Sequence, residues 1–202
     1  MMLTLTIVRH GDTFAPGEPP RRIGARTDLS LVASGEAQAR LLGRAFAGEG
    51  VVFDRVLVAP LRRTRETADL LTAMLPAAPA IEPAEWLAEI DHGPDEGQGE
   101  DAVLARIGPT ALARWNDALV PPPGWLVDAP ARLAGWRALM AKDGGHVLLV
   151  TSNGAARFAL QADARLADQA RMLPSGRLRT GAWGRTVRDE GDWQIAAWDR
   201  RP

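Results

Sequence analysis

The sequence predicts an α/β fold, a three-layer sandwich in which a mostly parallel sheet lies between helices. Apolar, β-branched runs of strand length at 3–8, 51–58 and 146–151 alternate with helical segments. Strands that alternate with helices form parallel sheets covered on both faces. Because 202 residues suffice for one α/β core, we expect a single domain over 1–202, with a small helical cap segment at about 94–140.

The first half of the chain contains two predicted pairs of a strand and a helix. The first strand leads through a polar loop at 12–28 to a helix from about Ser34, a residue type favoured at N-caps. The second strand ends at Ala59-Pro60-Leu61, and a helix is predicted over 62–75. Pro76 ends that helix, because proline cannot donate a backbone hydrogen bond.

The second half contains a less regular helical region and the third strand. A short extended piece around Ile81 precedes helices over 100–142, which Pro-Pro-Pro-Gly at 121–124 interrupts. The third strand leads into a helix predicted over 155–166. Alternating and aromatic residues after Leu178 predict closing edge strands.

Composition excludes several classes of function. The chain has no cysteine, which excludes disulfides, thiolate nucleophiles and cysteine-based metal sites. A formal net charge of −1 predicts neither a nucleic-acid partner nor an anionic membrane surface. No apolar stretch is long enough to span a bilayer, and no leader-like segment is visible, so we expect a cytoplasmic protein.

Polar residues follow the carboxyl ends of the three predicted strands. Arg9-His10-Gly11 follows the first strand, Arg62-Arg63 comes shortly after the second, and Ser152-Asn153-Gly154 follows the third. The carboxyl ends of neighbouring parallel strands meet at one edge, where α/β proteins bind ligands. An imidazole at such an edge can act as nucleophile, base or metal ligand. Flanking arginines favour a dianionic phosphoryl group, which an imidazole can attack.

These segments belong to an ordered series of motifs. The series consists of Arg9-His10-Gly11-Asp12-Thr13, Ala25-Arg26-Thr27-Asp28, the stretch 59–68, the loop 87–93 and the strand end 147–154. In this order they resemble the motifs of the histidine phosphatase superfamily, the phosphoglycerate-mutase-like proteins. The resemblance covers most of the chain and is weakest between the last two motifs.

The resemblance implies a phosphatase that needs no metal or cofactor and forms a phosphohistidine at His10. Arg9 and Arg63 would hold the phosphoryl oxygens. Glu89 would protonate the leaving oxygen and then activate water. Further substrate contacts are implied for Thr13, Arg26 and Thr27.

Two residues depart from the family pattern. Asn153 stands where the family has a second catalytic histidine, and its amide donates a neutral hydrogen bond but carries no charge. The difference between a charged and a neutral hydrogen bond is about 1–2 kcal/mol, or about tenfold in rate. Pro16 stands where many members have a phosphate-binding asparagine. The loop 87–93, which contains Glu89, is called the acid loop. His146 lies at the far end of its strand, so His92, in the acid loop, is the histidine that could approach the phosphate instead.

The sequence therefore predicts hydrolysis of a small phosphorylated metabolite, with that substrate or inorganic phosphate as the ligand. A mutase is less favoured, because family mutases carry a longer insertion over the site than 94–140 provides. The competing prediction is a relative that binds a phosphorylated ligand or partner without turnover. The two departures favour that alternative, whereas His10 and Glu89 favour an enzyme. Asn153 keeps two interpretations, a phosphoryl ligand or a turn residue.

Overall fold

The computed structural model describes all residues 1–202 as six strands and six α-helices. No helix has both the length and the apolar character needed to cross a membrane. The strands are β1 (Leu3–Arg9), β2 (Arg55–Val58), β3 (Ile81–Pro83), β4 (Gly145–Thr151), β5 (Trp183–Asp189) and β6 (Asp192–Arg200). The helices are α1 (Ala33–Gly48), α2 (Arg62–Thr72), α3 (Glu100–Ala118), α4 (Ala129–Met140), α5 (Asn153–Gln161) and α6 (Ala164–Ala170).

All six strands form one mixed sheet in the order β3-β2-β4-β1-β5-β6. The first four strands of this order are parallel to one another. Strand β5 runs antiparallel to β1, and β6 runs antiparallel to β5. The predicted α/β sheet is thus confirmed. The prediction of two closing edge strands is wrong for β5, which pairs with β1 on one side and β6 on the other.

Two hydrophobic clusters cover the two faces of the sheet. The larger, of 25 buried residues, joins one face of β1 and β4 to α5 and to the region of α3 and α4. The smaller, of 10 buried residues, joins the other face to α1 and α2. Helices on both faces explain why β1 is buried from Leu3 to Val8, since a strand covered twice reads as a continuous apolar run.

Several predicted boundaries move because side chains form contacts that local propensity does not encode. The second strand begins only at Arg55, and the Asp54 carboxylate accepts a hydrogen bond from the His146 backbone N–H at 2.7 Å. Ser34 is not an N-cap. Val32 occupies that position, and the Ser34 hydroxyl donates to Asp12 at 3.2 Å.

The helix predicted over 155–166 is two helices. α5 ends at Gln161, and the Asp163 carboxylate accepts hydrogen bonds from the N–H groups of Arg165 and Leu166, which makes it the N-cap of α6. An aspartate in an apolar run therefore starts a new helix here.

The sheet brings the three polar strand ends together, as the sequence predicts. β4 lies between β1 and β2, with Arg9 opposite Thr151 and Val58 opposite Val150. His10 continues this alignment, because its backbone N–H donates to the Thr151 carbonyl at 3.0 Å. The residues that follow these strands thus share one edge.

A close approach of backbones fixes the loop after β1 against α1. A Cβ atom at Gly35 would lie 2.2 Å from the Asp12 carbonyl oxygen, and one at Gly11 would lie 2.4 Å from the Gly35 carbonyl oxygen. Only glycine fits at either position. The packing of these two glycines therefore sets where His10 stands relative to α1.

We predict that Gly35→Ala destabilises the protein despite the higher helix propensity of alanine. Overpacking against the Asp12 carbonyl should lower the free energy of unfolding by about 1–3 kcal/mol, measured by urea denaturation. Gly48→Ala is the matched control in the same helix, because nothing lies within 4 Å of its Cβ position. The control should be neutral or gain up to about 1 kcal/mol. Equal effects of the two substitutions would contradict the prediction.

Candidate active site

The shared strand edge opens into a cleft of about 610 Å³. Its walls are the loop after β1, the start of α5 and the second half of α3. Five of the residues predicted from sequence line it, namely Arg9, Thr13, Glu89, His92 and Asn153. The fold thus gathers residues that lie up to 144 positions apart in the chain.

The hydrogen bonds of His10 fix its tautomer. Arg63 donates its Nε–H to His10 Nε2 at 3.2 Å, and a guanidinium has no acceptor, so Nε2 carries the lone pair. Nδ1 is 2.8 Å from the Gly11 carbonyl oxygen and therefore carries the proton that it donates. A neutral imidazole with its electron pair on Nε2 is the form that can attack phosphorus, once the Arg63 donor turns from Nε2 to the phosphoryl oxygens.

The surroundings of His10 keep it neutral. The residue is only 2% exposed. Burial lowers the pKa of His10 well below its usual value, and the positive charges of Arg9 and Arg63 lower it further. The hydrogen bond to Gly11 opposes this shift without overcoming it. The nucleophilic form of His10 is therefore the dominant one at neutral pH.

Arg63 lies in the first turn of α2 and is fully buried. Besides contacting His10, its guanidinium donates to the carbonyl oxygens of Thr27 at 2.5 Å and Gly24 at 3.2 Å. It forms no ion pair with a carboxylate within 4 Å. A guanidinium has five N–H donors, and these three contacts use three of them.

The backbone of Leu178 orients two polar side chains at once. Its carbonyl accepts a hydrogen bond from Arg9 Nη1 at 2.8 Å, and its N–H donates to Asn153 Oδ1 at 2.9 Å. Because Oδ1 must face this N–H, the Asn153 amide presents its NH₂ group elsewhere, and the residue lines the cleft. Burial lowers the pKa of Arg9 to about 10, so it remains a cation at neutral pH.

Glu89 is a buried carboxylate in the loop after β3, and it lies beside the first turn of α5. It accepts hydrogen bonds from the N–H groups of Ile90 at 2.8 Å and Gly154 at 3.3 Å. Burial acts to raise the pKa of Glu89, but the charge of His92, these hydrogen bonds and Arg63 outweigh it and lower the pKa. Arg132 of α4 donates to the Glu89 carbonyl at 3.1 Å and thereby holds the loop.

His92 and Thr13 are buried and line the same cleft. The His92 ring packs edge-on against Trp125, with ring centroids 4.5 Å apart, and its Nδ1 has no hydrogen-bond partner. Burial lowers its pKa, and the charge of Glu89 opposes this shift. The structure thus places the His92 imidazole at the cleft, as the sequence allows. It reaches the cleft from the acid loop, whereas Asn153 reaches it from the first turn of α5.

Four residues predicted for the site, His10, Arg63, Arg26 and Thr27, are not among those that line the cleft. His10 and Arg63 are buried behind it, whereas Arg26 and Thr27 contact neighbouring segments. The Arg26 side chain is exposed and binds the Asp91 carboxylate at 3.1 Å and the Gly93 carbonyl. The Thr27 hydroxyl donates to Glu96 at 2.7 Å, and its carbonyl holds Arg63. Both residues support the site because their partners belong to the acid loop and to α2.

Sequence reasoning missed several polar residues that line the cleft, among them Asn116, Arg157 and Arg177. None of these three belongs to a motif. Arg157 had one available signal, since it follows Asn153 by four positions in a predicted helix and such residues share a face. Leu178 carried no signal, because its backbone rather than its side chain contacts the site.

Several solved structures have the same fold. The mycobacterial glucosyl-3-phosphoglycerate phosphatase superposes with a TM-score of 0.76 at 20% identity, covering 98% of this chain and 99% of its own. The α-ribazole phosphatase of Shigella flexneri gives a TM-score of 0.68 at 20% identity over 98% and 97%. YhfR of Bacillus stearothermophilus gives 0.74 at 22% identity over 99% and 98%.

Two curated relatives are similar over shorter stretches. Both carry the name "Probable phosphoglycerate mutase GpmB". The protein of Serratia proteamaculans is 39% identical over 70 residues, 35% of this chain and 31% of its own length. That of Photorhabdus laumondii is 30% identical over 104 residues, 52% of this chain and 46% of its own length. The chain thus matches less than half the length of either relative.

A family profile matches nearly the entire chain. It is that of the Histidine phosphatase superfamily (branch 1), and it aligns with residues 5–201. Its span runs from within β1, which His10 follows directly, to the end of the closing strands. The chain therefore belongs to branch 1 of the histidine phosphatase superfamily.

Proposed function

We propose that this protein hydrolyses small phosphomonoesters through a phosphohistidine at His10. The observation that carries the proposal is the state of the His10 imidazole, which is neutral, protonated on Nδ1 and has its Nε2 lone pair next to Arg63. A nucleophile in this state needs no separate base. The surrounding arginines offset the charge of a phosphoryl dianion and stabilise the transferring group.

The first half of the reaction breaks the phosphoester bond. His10 Nε2 attacks phosphorus, the bond to the ester oxygen breaks, and Glu89 gives its proton to that oxygen. The pKa of Glu89 lies below its usual value in the free protein. The arriving dianion raises it, because like charges disfavour ionisation, so Glu89 takes up from solvent the proton that the step requires.

The second half releases phosphate. The Glu89 carboxylate takes a proton from water, the water oxygen bonds to phosphorus, and the bond between phosphorus and Nε2 breaks. This returns His10 to its neutral form and Glu89 to its protonated form. Glu89 therefore serves as acid and then as base from one buried position beside Gly154.

Asn153 acts as a neutral ligand of the phosphoryl group in this scheme. Its Oδ1 is occupied by the Leu178 N–H, which leaves the two amide hydrogens for a phosphoryl oxygen in the cleft. The bond to Leu178 favours this role over that of a turn residue. Burial and the nearby arginines would both disfavour a charged histidine at this position, whereas the amide donates a hydrogen bond without a charge.

We predict that His10→Ala abolishes turnover and covalent labelling together. Incubation with a ³²P-labelled aryl phosphate should label the wild-type protein with an acid-labile, base-stable adduct and release inorganic phosphate. His146→Gln is the control, because His146 lies at the opposite end of β4 and contacts Thr6. Release of phosphate that persists in His10→Ala would contradict the proposal. Binding without any turnover in the wild type would favour the non-catalytic alternative. Transfer of the label to an added alcohol would favour a mutase.

We predict that Glu89→Gln separates substrates by their leaving groups. Loss of the general acid should slow an alkyl phosphate by about 100- to 10,000-fold in kcat/KM, because its alkoxide must be protonated. A 4-nitrophenyl ester should lose much less, because its phenolate leaves without a proton. Glu18→Gln is the matched control, an exposed carboxylate on the same cleft, and should change neither rate more than twofold. Equal losses for both esters would exclude Glu89 as the acid.

We predict that Asn153→Asp is more harmful than Asn153→Ala. Aspartate keeps the bond from Leu178 but turns a carboxylate oxygen toward the phosphoryl group, so kcat/KM should fall by about 100-fold or more. Alanine removes one neutral donor and should cost about tenfold. The melting temperature of Asn153→Asp should not fall, since an acidic residue in the first turn of α5 favours the helix. Unchanged kinetics in both variants would make Asn153 a turn residue only.

A further inference from the structure

Arg157 is a buried cation on α5 that no carboxylate neutralises. The residue is only 4% exposed. Its Nη1 donates to Asn116 Oδ1 at 3.0 Å, and its Nε has no partner. It forms no ion pair with any acidic side chain within 4 Å. A buried charge without a counter-ion destabilises a folded protein, so its presence in a cleft points to a ligand.

Arg157 lines the main cleft together with Arg9, Glu89 and Asn153. Burial lowers the pKa of Arg157 to about 10, and the remaining contributions come from residues that line this cleft, namely Arg177, Glu89, Arg9 and Arg22. Arg157 also borders a smaller cleft of about 470 Å³. The charged residues of that second cleft, Asp117 and Arg171, are not among the groups that shift its pKa.

We infer that Arg157 forms a second anion-binding subsite, which takes a carboxylate or a second phosphate carried by the same substrate. The inference rests on the proposed phosphatase function, because it assumes that a phosphoryl group occupies the space at His10. In the proposed function, Arg9 and Arg63 offset the charge of the phosphoryl group. Arg157 is then a third cation, for which that group supplies no anion. Its Nη2 makes no hydrogen bond within the protein and is not fully buried, so it is free to donate to a ligand.

The helix sets the distance between the two subsites. Asn153 and Arg157 are four residues apart on α5, so they share a face and their Cα atoms are about 6 Å apart along the axis. A substrate that bridges them carries its two anions a few bonds apart. Asn116 holds the guanidinium in place from α3, and the exposed Arg177 adds positive charge at the rim.

Matched ligands that differ in one anionic group test this subsite. 3-Phosphoglycerate and glycerol 3-phosphate differ only in a carboxylate, and propane-1,3-diol bisphosphate and 3-hydroxypropyl phosphate differ only in a phosphate. In the wild type the doubly anionic member of at least one pair should have the higher kcat/KM, and the better pair identifies the second group. Arg157→Gln should lower kcat/KM for that member by about 10- to 100-fold, because a charge-assisted hydrogen bond is lost.

The singly anionic members provide the specificity control. Their kcat/KM should change by less than twofold in Arg157→Gln, and Arg157→Lys, which keeps the charge, should recover part of the preference. Arg171→Gln removes an equal charge outside the main cleft and should leave both members of each pair unchanged. Equal losses for both members of a pair, or no preference in the wild type, would overturn the subsite.

Binding measurements separate failure of the subsite from failure of the phosphatase function. Calorimetry on His10→Ala and on His10→Ala/Arg157→Gln measures the affinity of all four ligands without turnover. A preference for the doubly anionic ligands that disappears in the double variant supports the subsite even if the wild type hydrolyses nothing. Turnover of simple esters with no such preference would keep the phosphatase and reject the subsite.

Discussion

The buried guanidinium of Arg63 is the interaction on which the rest of the site depends. It connects His10 after β1, the Gly24 and Thr27 carbonyls in the following loop, and α2, on which it lies. A buried cation needs partners for its donors, and here two neutral carbonyl oxygens and an imidazole accept three of the five N–H groups. No carboxylate lies within 4 Å of the guanidinium, and Glu89, Asp28 and Glu96 act on its charge from farther away. The positive charge of Arg63 lowers the pKa of His10.

This positive charge explains the division of roles among the titratable groups. Burial together with two arginines lowers the pKa of His10, which keeps it a neutral nucleophile. Glu89 lies among the same cations and accepts two backbone hydrogen bonds, so its pKa also falls. In the proposed reaction, a bound phosphoryl dianion raises the pKa of Glu89 again and favours its protonation from solvent. In such a cleft a neutral amide at Asn153 adds a donor without adding to the repulsion among cations.

The sequence predicts the parts of the site that depend on local pattern and strand order. β1 and β4 are apolar throughout because both faces are covered, and the polar residues that follow them lie at one edge. Contacts between distant segments are not encoded locally. Arg26 pairs with Asp91 instead of lining the cleft, and Asp163 divides a continuous helical pattern by capping α6. Arg157 belongs to no motif, and only the structure shows that its guanidinium is buried without an ion-paired carboxylate.

The closing strands do more than complete the sheet. Gly181 donates its N–H to the His10 carbonyl at 3.1 Å, and the Ala182 carbonyl accepts from the Arg9 N–H at 3.0 Å. Just before them, Leu178 holds Arg9 and Asn153 through its backbone. The strand pair β5 and β6 anchors this segment at the central strand β1. Displacement of the segment would therefore move the side chains of Arg9 and Asn153 together, whatever side chain occupies position 178.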